Sequence, residues 1–524
     1  MRDTHRIIDP FPPLFVEAAT HSEKDKAILR RLHEEDRFAR WFSVKLGGED
    51  PELWLYDRFV RLCDPKRSGN RATEHHYPSF VSFVGDTSVG KSTIVRAMLL
   101  LGLLESPGNL NGLTSHAHST QDLDLIAWAQ NKGCSMPVPR SGNFDHKTDP
   151  TTFGVHLYRD DSTIEERNDS ATEAGQQPLK APQPKNFPLL FADCEGFGAG
   201  TATTLALRLA ELNEEDDASI EKLPITASCY STGSKNGIDL FYARVLYAIS
   251  DVIVFVTKGD QTMKPDLIRV LEWASAAVKK SYNQPSCKTL IIVRNMETAT
   301  ESYTDESLRQ KYLHSFGAEK LWADSIILRA FVEHHNRFVH PHSAIWDNDQ
   351  LYKALFQDIK CCYIPHKGLD SNSSPERSTD MFEHLKGLRK QIEYSANDER
   401  RIRARGFSYY NVPALNHILL QVFEHFRTSE DPLNFFLAAR RDNPTPHNIP
   451  EHIANFLRLA LEGPEQQSTG IEDMTVSAIS LMCLIYADRW RSVLSDRQSS
   501  LSSRFKTMLT ISSPHPGARR YVRS

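Results

Sequence analysis

The sequence predicts an α/β protein: a P-loop domain on a mostly parallel sheet, flanked by helical N-terminal and C-terminal regions. Two observations carry that prediction. The first is the run Gly85, Asp86, Thr87, Ser88, Val89, Gly90, Lys91, Ser92, Thr93, which joins an apolar stretch ending at Val84 to a helix-like stretch over 93–104. The second is the alternation, from Tyr77 onward, of short apolar runs with helix-like segments. Strands covered by helices on both faces read that way, because neither face is left for polar residues.

Taken in chain order, residues 1–76 place Ile28, Leu32, Phe38, Trp41, Phe42 and then Trp54, Phe59, Leu62 at roughly helical spacing, and read as helices packing on the next domain. The sheet domain spans 77–370, with candidate strands at 80–84, 154–158, 188–192, 252–257, 289–293 and 361–364. Residues 105–150 hold Gly, Pro, Ser and His in no clear period, apart from a helix-like piece at 123–130. Residues 160–187 are rich in Asp, Glu, Ser, Gln and Pro and lack the apolar content to bury anything, so a mobile loop is expected there. A Ser-rich linker at 370–375 leads into a helical region, 371–524, with segments at 381–395, 413–427, 449–461 and 476–494.

Composition bounds the function class. At 524 residues the chain holds two or three domains, and a formal net charge of −5 gives no overall pull toward nucleic acid or anionic membrane. The basic run at Arg400, Arg401, Arg403 and Arg405 reads as a solvated face. Eight scattered cysteines without a CxxC pair suit a reducing, intracellular and cytoplasmic setting. No targeting segment is visible, and the longest apolar stretches, 95–104 and 476–486, fall short of the about 20 residues a bilayer span needs. Contact with a peripheral membrane or a protein partner stays open.

The loop at 85–93 has the chemistry of a phosphate cradle. A glycine-rich turn from strand to helix lets backbone N–H groups converge at the positive end of the helix, while Lys91 reaches the terminal phosphates and Ser92 offers its hydroxyl to Mg²⁺. Downstream, the apolar run 188–192 delivers Asp193, Cys194, Glu195, Gly196 and Phe197. A carboxylate at a strand end can hold Mg²⁺, and the Gly196 N–H can register a γ-phosphate because no side chain blocks the approach. Between the two lies Asp149-Pro150-Thr151-Thr152-Phe153-Gly154, where Thr152 first, and Thr151 second, are candidates to close over the metal and the γ-phosphate.

These segments resemble the dynamin superfamily of P-loop GTPases. The loop 85–93 is similar to the family's P-loop, with Ser88 at its characteristic serine. Thr151-Thr152-Phe153-Gly154-Val155 resembles the first switch, and Asp193-Cys194-Glu195-Gly196 the DxEG motif, of the guanylate-binding protein and atlastin branch. The strand ending in Arg294-Asn295 resembles the one carrying that branch's Arg-Asp base motif, and Cys361-Cys362-Tyr363-Ile364-Pro365-His366 its last strand and loop. The resemblance implies GTP with Mg²⁺, hydrolysis by in-line water attack, and pairing of two copies through the nucleotide domains. It assigns Lys91 and the loop to the phosphates, Ser92, Thr152 and Asp193 to the metal, Gly196 to the γ-phosphate, and Ser88 and Glu195 to orienting water. Glu195 reads equally well as a salt-bridge residue.

Two departures accompany the resemblance. Ser88 stands where guanylate-binding and atlastin proteins have an arginine, and Asn295 where they have the aspartate that pairs with guanine. Thr257-Lys258-Gly259-Asp260 offers a competing TKxD base motif, but on the strand that follows the DxEG segment, one strand early. The alternatives to a GTPase are thus a catalytically weak nucleotide-binding scaffold and an ATPase. His334, His335, His340 and His342 read as a polar helix end, and Cys361 and Cys362 as packing residues on a buried strand.

Overall fold

A computed structural model of the chain describes residues 37–47, 50–63, 77–87, 89–105, 135–137, 154–160, 162, 188–197, 220–226, 235–258, 263–278, 281–282, 288–297, 304–314, 319–338, 344–365, 375–405, 410–429, 431–435 and 438. Of the expected elements, the helix-like piece at 123–130, the loop at 163–187 and the segments 449–461 and 476–494 lie outside them. Two compact units divide the chain, Met1–Ala439 and Arg440–Ser524, and every described residue belongs to the first.

The first unit opens with β1 (Arg40–Gly47), β2 (Asp50–Leu55) and a short helix α1 (Arg58–Cys63). Then come β3 (Ser79–Gly85), α2 (Lys91–Glu105), β4 (Val155–Asp160), β5 (Leu189–Cys194) and β6 (Glu221–Pro224). The middle of the chain gives α3 (Lys235–Ile249), β7 (Val252–Thr257), α4 (Met263–Val278), β8 (Ser281–Tyr282) and β9 (Lys288–Glu297). It continues through α5 (Asp305–His314), α6 (Ile326–Phe338), α7 (Asn348–Leu355) and β10 (Phe356–Pro365), and ends with α8 (Pro375–Arg405), α9 (Val412–Thr428) and β11 (Leu433–Asn434).

Among the described residues, nine strands form one sheet in the order β10, β9, β7, β3, β5, β4, β1, β2, β6. From β10 to β5 the neighbours are parallel, and from β5 outward through β4, β1, β2 and β6 they are antiparallel. The fold is therefore mixed α/β with a large central sheet and covering helices, the α/β class that the motifs predict, extended by an antiparallel wing. β3, β5 and β7 are buried along their whole length, which is why they read as unbroken apolar runs. From β3 the chain moves to one side of the sheet for β4 and β5, then to the other for β7, β9 and β10. The loop after β3 sits at this reversal, where ligands of open α/β sheets bind.

Two apolar cores sandwich the sheet. On one face the α2 side chains Val95, Met98 and Leu99 meet Val81 and Phe83 of β3 and Met381, Leu385, Leu388 and Ile392 of α8. On the other, α3, α4, α6, α7 and α9 pack over Phe80, Val84 and Ile253. Adjacent Cys361 and Cys362 fall one in each core, as the two-residue period of a strand requires. The domain limit expected near 370 falls between β10 and α8, yet α8 completes the same core as α2.

Two expectations are corrected. Trp41, Phe42 and Trp54, read as helical, lie on the β1–β2 hairpin, which pairs Phe42 with Leu55 and Gly47 with Asp50. Aromatics at 38, 41 and 42 fit a helical period, but the glycines at 47 and 48 between two apolar runs are the hairpin signal, and β4 offers the edge that β1 completes. Phe59 and Leu62 do lie on a helix, α1, while Ile28 and Leu32 fall outside the described residues. The basic run is not a solvated face: Arg400 and Arg403 are buried, and Arg403 pairs with Asp251 at 2.7 Å, the carboxylate that also accepts the Phe80 N–H at 2.9 Å. The half of the sheet that carries the site is the parallel one.

Candidate phosphate-binding site

The site grows from the end of β3. Gly85 has φ +142°, and a Cβ there would stand 2.2 Å from the carbonyl oxygen of Val256 on β7, so only glycine lets the strand leave the sheet at this point. Gly90, at φ +91°, turns the chain into α2. Lys91, in the first turn of α2, folds back over the loop and donates from Nζ to the Gly85 carbonyl at 3.1 Å and the Asp86 carbonyl at 2.7 Å. It is buried, and burial pushes its ammonium below the ordinary value, against the opposing pull of negative charge led by Asp193. An ammonium with three donors, two of them spent on its own loop, is held ready for a ligand oxygen.

Asp193 ends β5 and is 1% exposed. Its neighbour Glu195 does something the sequence does not announce. The Glu195 N–H donates to the Gly154 carbonyl at 2.8 Å, and its carboxylate accepts the Gly154 N–H at 3.1 Å. Both polar groups of Gly154, which has φ +75° and opens β4, are thereby tied to the DxEG segment. Gly196 presses on the loop: a Cβ at 196 would lie 2.4 Å from both N and Cα of Thr87. Phe197 then donates its N–H to the Gly85 carbonyl at 3.0 Å, and Asp86 and Phe197 form an isolated parallel bridge. The P-loop and the DxEG segment thus share a backbone seam.

Two side chains reach the loop from farther strands and helices. Asn295, on β9, donates from Nδ2 to the Val89 carbonyl at 2.8 Å and is buried, as is Arg294 beside it. Arg269, on α4, forms an ion pair with the Asp86 carboxylate. On the competing motif, the Thr257 hydroxyl donates to Asp266 of α4, and Lys258 is exposed. Ser92 and Thr93 lie in the first turn of α2, both half-buried. Ser88, Thr151, Thr152, Gly259 and Asp260 lie outside the described residues, as do His340 and His342. His334 and His335 are on α6 near its C-terminal end, and among the described residues no group of three or more His, Cys, Asp or Glu forms a metal cluster.

The structure therefore brings Gly85, Asp86, Thr87, Val89, Gly90, Lys91, Glu195, Gly196 and Asn295 into one contiguous contact set. Motif reading missed Arg269, the double tie of Gly154 to Glu195, and the use of Asn295 to hold the loop. The last had a signal, since an asparagine at a strand's C-terminal end can supply a donor where an aspartate cannot. Arg269 had none, being an ordinary exposed position of an amphipathic helix.

No protein-family model matches the chain, and no curated protein matches its sequence. Among solved structures, it compares with the S. cerevisiae Ski7 GTPase-like domain bound to GTP, at 14% identity over 60% of this chain and 51% of that one, with a TM-score of 0.20. The same domain bound to GDP and inorganic phosphate gives 13% identity over 60% and 50%, with a TM-score of 0.19. The match spans about half of those chains, and at this level of superposition it carries no argument about a ligand here. Among the described residues, no helix is long and apolar enough to cross a membrane.

Proposed function

We propose that this chain is a nucleotide-dependent switch that binds GTP with Mg²⁺ and hydrolyses it, resembling dynamin-type GTPases of the guanylate-binding protein and atlastin branch. The observation that supports it best is the loop itself: Lys91 buried at a helix N-terminus, folded over the Gly85 and Asp86 carbonyls, with Gly196 of a DxEG segment seated against Thr87. A buried ammonium beside converging N–H groups is unfavourable until an anion arrives, and a polyphosphate supplies that anion.

In this reading Lys91 and the loop N–H groups neutralise the β- and γ-phosphates, and Gly196 registers the γ-phosphate. The residues fit a hard divalent cation, since Ser92 and Asp193 offer a hydroxyl and a carboxylate, and Asp193 faces the same cradle closely enough to act on Lys91. Thr152 would complete that set. Mg²⁺, when bound, spreads the phosphate charge during in-line attack. Glu195, anchored on Gly154, carries γ-phosphate occupancy to the start of β4; Ser88 is assigned to orienting water. Asn295 lies within reach of the loop and one strand farther out than Lys258, which favours Arg294 and Asn295 as the base-facing pair. With one of its two amide N–H groups committed to Val89, Asn295 keeps its oxygen and one N–H for a base.

The test is titration with Mg²⁺ and GTP, ATP or XTP, following phosphate release in the same samples, with Lys91→Ala as control. Selective GTP binding and Lys91-dependent turnover support the GTPase. Binding without turnover favours the scaffold, equal binding of ATP the ATPase, and no binding removes the reading. Pairing of two copies, proposed from the resemblance alone, is tested by elution volume with GTP, a non-hydrolysable analogue and no nucleotide.

A further inference from the structure

The phosphate loop carries a negative charge of its own. Asp86 is its second residue, and its carboxylate belongs to the segment whose backbone is to receive phosphate. Three further features meet at this residue: its carbonyl accepts Lys91 Nζ at 2.7 Å, its backbone bridges to Phe197, and its carboxylate pairs with Arg269 of α4. Asp86 also stands among the negative groups that act on the Lys91 ammonium, so its charge reaches the cradle. With Asp193 and Glu195 close by, an uncompensated Asp86 would add a third carboxylate to a pocket meant for an anion.

We propose that Arg269 is a positioning residue for phosphate binding, which holds and neutralises Asp86 so that the loop presents net positive charge to the nucleotide. The proposal rests on the nucleotide reading above and adds to it a residue from outside every motif. The pair is half-exposed at both ends, 45% for Arg269 and 39% for Asp86, so it contributes little to folding; its consequence is the field felt by a ligand. A triphosphate, carrying more charge than a diphosphate, feels it more. Two charges about 8 Å apart in a partly solvated cleft interact by roughly 1 kcal/mol, which is about fivefold in affinity, and salt screens that at the Debye length of about 8–10 Å.

The experiment measures dissociation constants of the Mg²⁺ complexes of the β,γ-imido analogue of GTP and of GDP. It compares the full chain with Arg269→Gln, Asp86→Asn and the double variant at low and high salt, with melting temperatures as a fold control. Arg269→Gln is expected to weaken the triphosphate analogue about fivefold at low salt, GDP less, and both by a smaller factor at high salt. Asp86→Asn in the Arg269→Gln background is expected to restore affinity to within about twofold. A structural role alone would give neither the salt dependence nor the rescue. Unchanged binding by Arg269→Gln, or a double variant as weak as Arg269→Gln, overturns the proposal while leaving the nucleotide reading intact. A wild-type chain that binds neither nucleotide overturns both.

Discussion

Replacing Arg389 by methionine should strongly destabilise the fold by loosening α8. The guanidinium is 2% exposed and its partner Asp160, at the end of β4, 4% exposed, with Nη2 to Oδ2 at 2.9 Å. Arg389 also donates to the Met98 carbonyl of α2 and the Ser162 hydroxyl, and pairs through Nε with Glu393 at 2.9 Å. One side chain therefore fastens α8 to α2 and β4. Methionine fills similar length but leaves Asp160 buried with only the Ser162 N–H, at 3.0 Å, of the bonds described here. Stranding one member of a buried pair costs about 3–5 kcal/mol, a large share of a total stability of about 5–15 kcal/mol. Gly102 gives an independent route to the same contact, since a Cβ there would lie 2.6 Å from Asp160 Oδ1 and 2.8 Å from Arg389 Nη2. Equilibrium urea unfolding is the assay. Arg389→Met and Gly102→Ala should both lower the midpoint, and Asp160→Asn should recover part of the Arg389→Met loss by removing the stranded charge. A loss below about 1 kcal/mol for Arg389→Met would refute this docking of α8, because a surface pair costs about that or less.

Further outcomes follow from the site. Asn295→Asp, which makes the chain match the family's base motif, should weaken nucleotide binding, because a carboxylate would face the Val89 carbonyl in place of a donated hydrogen bond; losing that bond and stranding its acceptor costs about 1–3 kcal/mol. Tighter GTP binding by the variant would count against this account of the loop. Lys91→Met should raise the stability of the nucleotide-free protein at neutral pH. Burial lowers the folded-state value of Lys91, so the unfolded chain binds the proton more tightly. The penalty is thus full below the folded value and fades as pH rises toward the unfolded one of about 10.4, so the gap between variant and wild type in thermal melts should narrow on that approach. Gly85→Ala should abolish nucleotide binding, since its Cβ would collide with the Val256 carbonyl; retained affinity in a titration would mean the strand end is free to shift. Cys361 and Cys362 should resist alkylation in the native state, where burial pushes the Cys361 thiol up to about 12 and the Cys362 thiol well above its ordinary value; mass spectrometry after iodoacetamide reads this directly, and rapid labelling of either would contradict the burial of β10.

Much of the site was legible because it is local. A glycine turn between an apolar run and a helix is a continuous stretch of chain, and so is a strand ending in Asp193-Cys194-Glu195-Gly196. The helices at 381–395 and 413–427 were equally plain from their periodicity, and lie within α8 and α9. What went astray was residue environment. The aromatics at 41, 42 and 54 satisfied two periods at once, and the sheet edge at β4 decided between them. The basic run near 400 has the letters of a solvated surface, yet Asp251, about 150 residues earlier, takes Arg403 into the interior.

The sequence by itself determined the P-loop, the DxEG segment, the parallel strands that carry them and the α/β class, because each depends on short-range pattern: burial on two faces, glycine where a side chain would collide, a hydroxyl after the lysine. Tertiary structure alone decided that Glu195 holds Gly154, that Asn295 holds Val89, that Arg269 meets Asp86, and that α8 belongs to the same core as α2. Those contacts join residues 41 to 206 positions apart or pack a late helix onto an early one, and no local propensity encodes them. They exist because strand order brings the C-terminal ends of β3, β5, β7 and β9 side by side, and buried polar groups there must find partners among whatever that order delivers.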